Sequence, residues 1–297
     1  MTVPTQRAEP RLITEAGVID GMPEWEYHAD PVPAGSLSST GARRIVPPGC
    51  PALFDYERRN PKPSTAAQEY GTVAHKEVLG VGGELYPYAP IDGRTKDGKA
   101  QAADLAAARA AGKTPVTTDD YARIKAMAEA VRQHELAAAL LDPSTGKAEQ
   151  SAFAQDDRTG TWLRCRYDWL PEPANGRLIF ADYKTTDRLD DDSIAREIAK
   201  WKYHQQIDFY EHVAQLLGLA ETVFGALIFG MKQPPYLVRV VSLDTDSRLI
   251  ARARNRRAID LFTTCQKAGV WPGYGDDLHT ASLPGWEAKT DIEEYNL

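Results

Sequence analysis

The chain has 297 residues, of which 42% are hydrophobic and 26% charged, a composition typical of a globular protein with a full core. Its net charge of −7 argues against a protein that coats nucleic acid non-specifically, although a local basic groove could still bind a polynucleotide. The three cysteines are scattered without a CxxC spacing, which excludes a four-cysteine metal site and favours a reducing compartment. The longest apolar run, Val223 to Phe229, is too short to cross a bilayer, and the chain opens without a charged-then-apolar leader pattern. We therefore expect a cytoplasmic protein without a membrane partner.

Three regions are predicted along the chain. Residues 1–34 are polar and contain several prolines, so we expect a weakly ordered arm with a short strand near residues 12–19. Residues 35–275 carry the helix and strand patterns of a single domain whose N-terminal portion is helical. Residues 276–297 form an acidic, loop-like tail, which we expect to be partly disordered.

Hydroxyl and basic side chains surround the first predicted helix of this domain. Ser38 or Ser39 is a good N-cap for a helix over residues 40–46. In the simpler interpretation these groups are structural. In the alternative, the hydroxyls and Arg43 or Arg44 form a phosphate pocket at the helix N-terminus.

The next helix, predicted over residues 68–79, places Gly71 and His75 one turn apart on one face. A lone helical histidine is more often a packed or surface residue than a metal ligand. The glycine lowers helix propensity, which suggests close approach of another backbone.

The other elements predicted ahead of the central strands are a helix over 51–59, a strand over 85–88, helices over 100–111 and 118–141, and a strand over 147–155. Glu149 in the last of these could be a metal ligand, but a solvated strand carboxylate is the favoured interpretation.

The centre of the predicted site is a pair of strands joined by a polar turn, at residues 161–170 and 177–186. In the first strand Arg166 and Asp168 alternate away from the hydrophobic face, and in the second Asp182 and Lys184 share a face. A hairpin can therefore bring Asp168 and Asp182 together, with Lys184 beside them. Because two such carboxylates repel unless a proton or cation lies between them, a hard divalent cation is the natural solution. The pattern outlines a site for metal-assisted hydrolysis.

Two predicted helices of the C-terminal part each carry a stripe of side chains along one face. The predicted helix over 192–217 carries Tyr203, Gln206 and Tyr210 on one stripe, which on pattern alone is the edge of a core. Strands over 222–231 and 236–243 follow. The predicted helix over 245–267 carries Arg248, Arg252 and Arg256 at four-residue spacing. This basic stripe could follow a phosphate backbone or simply be a solvated face.

Four motifs in this order resemble those of the PD-(D/E)XK nuclease superfamily, and within it the RecB-like group. The motifs are GTVAH at 71–75, RYD at 166–168, DYKT at 182–185 and QxxxY at 206–210. The stretch LSSTGARRI…CPALFDYE further resembles the RecE-type phage exonucleases. The resemblance covers roughly residues 35–275, and four ordered motifs in matching helix and strand contexts are far more specific than DYKT alone.

The resemblance implies a mixed central β-sheet flanked by helices on both faces and one or two Mg²⁺ or Mn²⁺ ions. It implies metal ligation by His75, Asp168, Asp182 and the main-chain carbonyl of Tyr183, and leaves Glu149 undecided. Lys184 would position or polarise the attacking water. The residues expected to orient the site or contact DNA are Gln206, Tyr210, Tyr203, Arg166, Arg43, Arg252 and Arg256.

By this resemblance the expected activity is 5′→3′ exonucleolytic hydrolysis of linear double-stranded DNA in phage-type recombination. Relatives of this type form rings around DNA and act with a single-strand annealing protein, so a ring-shaped homo-oligomer and such a partner are expected. One alternative is an endonuclease, or a nuclease of other polarity, with the same site. The other is a catalytically silent DNA-binding module, against which the costly acidic cluster argues.

Overall fold

The computed structural model describes residues 11–296. The helices are α1 (Glu24–His28), α2 (Ser39–Ile45), α3 (Pro51–Arg59), α4 (Ala66–Leu79), α5 (Lys96–Ala110), α6 (Thr118–Gln133), α7 (Glu135–Leu140), α8 (Asp191–Trp201), α9 (Tyr203–Leu216), α10 (Thr245–Ala268) and α11 (Gly285–Tyr295). The strands are β1 (Gly17–Ile19), β2 (Ser36–Ser38), β3 (Leu85–Tyr88), β4 (Thr114–Thr117), β5 (Gly146–Gln155), β6 (Trp162–Pro171), β7 (Arg177–Thr186), β8 (Thr222–Met231) and β9 (Val238–Val241). Among these residues no helix is both long and apolar enough to cross a membrane.

Within residues 11–296 the main sheet has seven strands in the order β1-β5-β6-β7-β8-β9, with β2 alongside β6. Strands β5 and β6 are antiparallel, whereas β7 and β8 are parallel because α8 and α9 form the crossover between them. Alternate residues of β7 enter two separate cores: Phe180 packs with α9, α10 and α2, and Tyr183 packs with α4 and α6. The prediction of a mixed sheet with helices on both faces is confirmed.

Two predicted helices are each broken into two. The predicted helix over 192–217 is interrupted at Lys202, which adopts a left-handed conformation with φ of 58°. Arg43 donates a hydrogen bond of 2.8 Å to the Trp201 carbonyl, so a tertiary contact satisfies one of the backbone groups that α8 leaves unpaired at its end. The predicted helix over 118–141 is interrupted at His134, whose side chain caps α7.

The arm predicted to be weakly ordered is packed against the sheet from residue 11 onward. Strand β1 pairs with β5, and it is shorter than the predicted strand over 12–19. Ile13, Met22 and Tyr27 are buried with Phe153, because a few apolar side chains in a polar segment suffice to anchor it. Residues 1–10 lie outside the described residues.

The tail also differs from its prediction. Residues Gly285–Tyr295 form α11 instead of a loop, but within this helix no side chain is buried. The predicted strand over 236–243 is confined to Val238–Val241.

Candidate active site

The sheet opens between β6 and β7, and the candidate site lies at this opening. Strand β7 is paired with β8 along its whole length. In the described residues it pairs with β6 at a single position, Trp169 with Ala181. Beyond that position the Tyr183 N–H donates to Asp168 Oδ2 over 2.8 Å instead of to a strand carbonyl. The Asp168 side chain therefore occupies a gap in the ladder.

Three carboxylates occupy one row of positions across this opening. The antiparallel register between β5 and β6 places Glu149 opposite Asp168, since Ala148 faces Trp169 and Gln150 faces Tyr167. The single pair between β6 and β7 places Asp182 opposite Asp168 on the other side. Like charges at directly opposite positions destabilise a sheet, so this row needs compensating cations.

Asp168 is the central carboxylate, and no arginine or lysine is paired with it within the described residues. Its nearest basic neighbour is His75 of α4, whose Nδ1 lies 3.3 Å from Asp168 Oδ2. Burial, followed by the charges of Asp182 and Glu149, raises the pKa of Asp168 well above its usual range, although Lys184 lowers it. Burial and the charge of Lys184 lower the pKa of His75, so its imidazole is neutral at pH 7 and can act as a ligand.

Asp182 is fully buried and is held from α9. Gln206 Nε2 donates to Asp182 Oδ1 over 2.8 Å and to the Tyr210 hydroxyl over 3.2 Å. Lys184 Nζ lies 2.5 Å from Asp182 Oδ2, so the two side chains form a close ion pair. Oδ2 accepts no hydrogen bond from any other group of the described residues. Burial alone would lower the pKa of Lys184. The negative charges of Asp182 and Asp168 outweigh this effect, so the pKa of Lys184 is raised.

Glu149 is held beside Asp168 by Arg166. The Arg166 guanidinium forms an ion pair with Glu149 Oε2, and both side chains are less than 20% exposed. One ligand atom each from His75, Glu149 and Asp168 lie within 4.8 Å of one another. The favoured interpretation of Glu149 as a solvated carboxylate is therefore wrong.

The backbone of Tyr183 contributes a further oxygen to the opening. The N–H and C=O of one strand residue project from the same edge, and the Tyr183 N–H points to Asp168 on the β6 side. Its carbonyl consequently faces the same gap. This orientation is the one required by the prediction of a main-chain metal ligand.

The charges and donor atoms of this row fit a hard divalent cation. Three carboxylates face two permanent cations, Arg166 and Lys184, which leaves one negative charge centred on Asp168. Asp182 Oδ2, which is paired with Lys184, and the neutral imidazole of His75 are further potential ligand atoms beside Asp168. Carboxylate and carbonyl oxygens are the ligands that Mg²⁺ and Mn²⁺ prefer.

Other predicted site residues surround this row. Tyr203, at the start of α9, presents its ring 4.9 Å from Lys184 Nζ. Tyr210 lies behind Gln206, and burial raises the pKa of its hydroxyl, which therefore stays protonated. Burial lowers the pKa of Arg43, which donates hydrogen bonds to the Trp201 carbonyl and to Thr40.

The predicted basic stripe of α10 is engaged with acidic residues of the protein itself. Arg248 donates to both carboxylate oxygens of Glu211, at 2.6 and 2.8 Å. Arg256 is paired with Asp156 at 2.6 Å. Arg252 lies 3.6 Å from Asp208 and is 67% exposed. The four-residue spacing is thus used to pack α10 against α9 and the β5–β6 turn, and the structure gives these arginines no contact with the row of carboxylates.

Sequence reasoning missed the partnership of Arg166 with Glu149. The signal was present in the register: once β5 and β6 are paired through the short turn between them, Glu149 falls opposite Asp168. For Arg166 the motif resemblance predicts only that it orients the site or contacts DNA. Its actual partner could be found only from the fold.

The fold and the site define a member of the PD-(D/E)XK nuclease superfamily. Residues 66–282 match a family described as "PDDEXK-like domain of unknown function (DUF3799)", and the chain belongs to this family. The superfamily resemblance drawn from the four motifs is therefore confirmed, while the RecE-type assignment stays a prediction. No curated protein sequence matches the chain.

Solved structures support the fold. A protein from Eubacterium rectale described as "Putative exonuclease" superposes with a TM-score of 0.57 at 10% identity, covering 91% of this chain and 99% of its own. A second structure, SSO0001, covers 77% of this chain and 93% of its own at 14% identity, but its TM-score of 0.29 is too low to indicate a shared fold. At such identities the similarity concerns the fold alone.

Proposed function

We propose that this protein is a metal-dependent nuclease that hydrolyses phosphodiester bonds in DNA. The observation that carries the proposal is the row of Glu149, Asp168 and Asp182 at the strand opening, with His75 and Lys184 beside it. Keeping such a row buried is costly unless a cation uses it. This cost argues against a catalytically silent copy of the fold.

The side chains divide into ligands and supporting groups. His75, Asp168, Asp182, Glu149 and the carbonyl of Tyr183 would hold Mg²⁺ or Mn²⁺. When bound, such an ion lowers the pKa of water and neutralises charge on the phosphate. The predicted catalytic set is thus His75, Asp168 and Asp182 with Lys184.

Lys184 is the cation that the chain itself supplies to the reaction. Because its pKa is raised, the ammonium stays charged, donates to the attacking water and offsets negative charge that develops on the phosphate. Gln206 fixes the orientation of Asp182 through the bond to Oδ1, and Tyr210 fixes Gln206. These two residues act through Asp182 and are positioning residues.

For the substrate we propose linear double-stranded DNA, degraded from its 5′ end. The motif resemblance to RecE-type exonucleases supports this choice, and so does the description of the Eubacterium rectale protein as an exonuclease. Among the arginines predicted to contact DNA, Arg43 is the one that has no acidic partner within the described residues, whereas Arg166, Arg252 and Arg256 are paired. A ring-shaped assembly, a single-strand annealing partner and a role in phage recombination stay predictions from the resemblance.

The test compares linear duplexes labelled at either the 5′ or the 3′ end, incubated with Mg²⁺ or with a chelator, and a covalently closed circle. We expect Mg²⁺-dependent release of the 5′ label first and an intact circle. Asp168→Asn should abolish release. Asp156→Asn is the matched control, because it also removes a buried, paired carboxylate but lies away from the site. Hydrolysis in chelator, or by Asp168→Asn at the wild-type rate, would contradict the proposal, and cleavage of the circle would indicate an endonuclease.

A further inference from the structure

We propose that Arg166 is a positioning residue of the metal site, which holds Glu149 against Asp168 and His75 and does not contact DNA. This inference rests on the proposed function. It decides between the two roles expected for Arg166, which are to orient the site or to contact DNA.

Two of the three nitrogens of the Arg166 guanidinium, Nε and Nη1, are bound to acceptors inside the protein. Besides its ion pair with Glu149, its Nη1 donates to the Met22 carbonyl over 2.7 Å and to Ser151 Oγ over 3.0 Å. The side chain is 16% exposed. Because Nε and Nη1 point to fixed acceptors on β5 and on the N-terminal segment, turning the guanidinium towards a phosphate would break these bonds.

Glu149 needs such a partner because its backbone conformation is unfavourable. Its φ of 55° lies in the left-handed region, which a residue with a long side chain rarely adopts. The described ladder between β5 and β6 contains the pairs on either side of Glu149 and Asp168 but not this pair itself. A strained residue at the point where ligand atoms converge indicates that the surrounding structure fixes it there.

The charge of Arg166 also makes the position of Glu149 tolerable. Without Arg166, Glu149 would face Asp168 with no compensating cation, and the repulsion would turn it towards solvent. The planar guanidinium holds Glu149 through Nε while Nη1 is bound to Met22 and Ser151, an arrangement that a lysine ammonium cannot reproduce. Arg166 thus sets the direction of the Glu149 side chain and compensates its negative charge.

This contact gives the N-terminal segment a role in the site. Met22 is 1% exposed and follows β1, upstream of the family-matched region that begins at residue 66. Its carbonyl holds the far side of the Arg166 guanidinium. The segment predicted as a loose arm therefore supports a ligand of the metal through one hydrogen bond.

The test measures Mn²⁺ affinity by calorimetry on DNA-free protein, for the wild type, Arg166→Lys, Glu149→Gln and the double variant. We expect each single variant to bind Mn²⁺ about 10- to 100-fold more weakly. The double variant should bind no more weakly than Glu149→Gln alone. Arg164→Lys is the matched control: Arg164 lies on the same strand and is 12% exposed, but it pairs with Asp30 away from the site. Its Mn²⁺ affinity should equal that of the wild type.

DNA affinity in chelator provides the second readout. Because lysine keeps the positive charge, this readout uses the charge-balanced double variant Arg166→Gln with Glu149→Gln. If Arg166 only positions Glu149, this variant binds duplex with wild-type affinity and wild-type salt dependence. A loss of DNA affinity with a salt slope reduced by about one would assign Arg166 to a phosphate contact and overturn the inference. Wild-type Mn²⁺ affinity in Arg166→Lys, or additive losses in the double variant, would overturn it as well.

The Mn²⁺ affinities of Glu149→Gln and Asp168→Asn show which proposal fails if the Arg166 variant cannot be studied or gives a negative result. If Arg166→Lys does not fold, Glu149→Gln alone decides, because Mn²⁺ affinity equal to that of the wild type would remove Glu149 from the site. Asp168→Asn separates the two proposals. If it leaves Mn²⁺ affinity unchanged, the metal site and the proposed function fail. If it abolishes binding while the Arg166 and Glu149 variants do not, only the present inference fails.

Discussion

The buried ion pair of Asp182 and Lys184 has a structural and a chemical role, and substitutions can separate the two. Lys184→Met removes the ammonium and keeps most of the aliphatic volume. Asp182, which is fully buried, then keeps its hydrogen bond from Gln206 but loses its cation. The double variant Asp182→Asn with Lys184→Met removes both charges at once.

The expected magnitudes follow from the burial of the pair. Removing one partner of a buried ion pair costs about 3–5 kcal/mol, and loss of the ammonium beside the Tyr203 ring adds about 0.5–1 kcal/mol. Lys184 is 13% exposed, so solvent screens part of this cost, and we expect about 3 kcal/mol for Lys184→Met at neutral pH. Replacing both charges together is often close to neutral, so the double variant should lie within about 1 kcal/mol of the wild type.

The assay combines urea unfolding at pH 7 in chelator with hydrolysis of linear duplex in Mg²⁺. We expect the double variant to recover stability that Lys184→Met loses, while both variants lose nuclease activity by orders of magnitude. Stability losses that simply add in the double variant would show that the two charges do not stabilise each other. Nuclease activity in the double variant would refute the chemical role of the pair.

Four further predictions concern other parts of the molecule. A Cβ at Gly71 would meet no heavy atom within 4 Å in the described chain, so close backbone approach does not explain this glycine, and Gly71→Ala should raise the melting temperature by about 1–3 °C. Burial opposes the charge of Asp156, but hydrogen bonds from Arg256 and Thr159 lower its pKa to about 2. Its stabilisation of about 1–2 kcal/mol is therefore present above pH 4 and lost as pH falls towards 2, and acid unfolding of Asp156→Asn should lack this contribution. Mn²⁺ should raise the melting temperature of the wild type but not of Asp168→Asn. Truncation after Pro284 should leave the melting temperature and nuclease activity unchanged, because within α11 no side chain is buried.

The sequence predicted the chemical centre because period-two alternation decides which strand residues share a face. Asp182 and Lys184 are two residues apart, and they form the ion pair that this spacing predicts. Gln206 and Tyr210 follow the same logic at helical spacing, and the structure links them to Asp182. These relations are local, so each can be derived from a few neighbouring residues.

Relations between distant segments could not be derived in the same way. Neither glycine nor proline marks the break at Lys202, which depends on Arg43 reaching the Trp201 carbonyl from 158 residues away in sequence. The arginines of α10 show a clear stripe, but their partners Glu211 and Asp156 belong to other elements. Whether a basic stripe faces DNA or acidic neighbours is decided by packing, and the pattern alone does not contain that information.

The acidic net charge of −7 and the internal pairing of the arginines both bear on how DNA would be held. Most of the arginines predicted to attract phosphate are paired internally, as Arg256 with Asp156 and Arg166 with Glu149. These pairs contribute little to the field outside the protein. In the proposed function, attraction of DNA would come from Lys184 and the divalent ion that the carboxylates would hold, together with Arg43. The ion would lie where the reacting phosphate binds, so substrate binding and catalysis would depend on the same positive charge. An acidic protein could therefore hold its substrate at the reacting phosphate without a basic surface elsewhere.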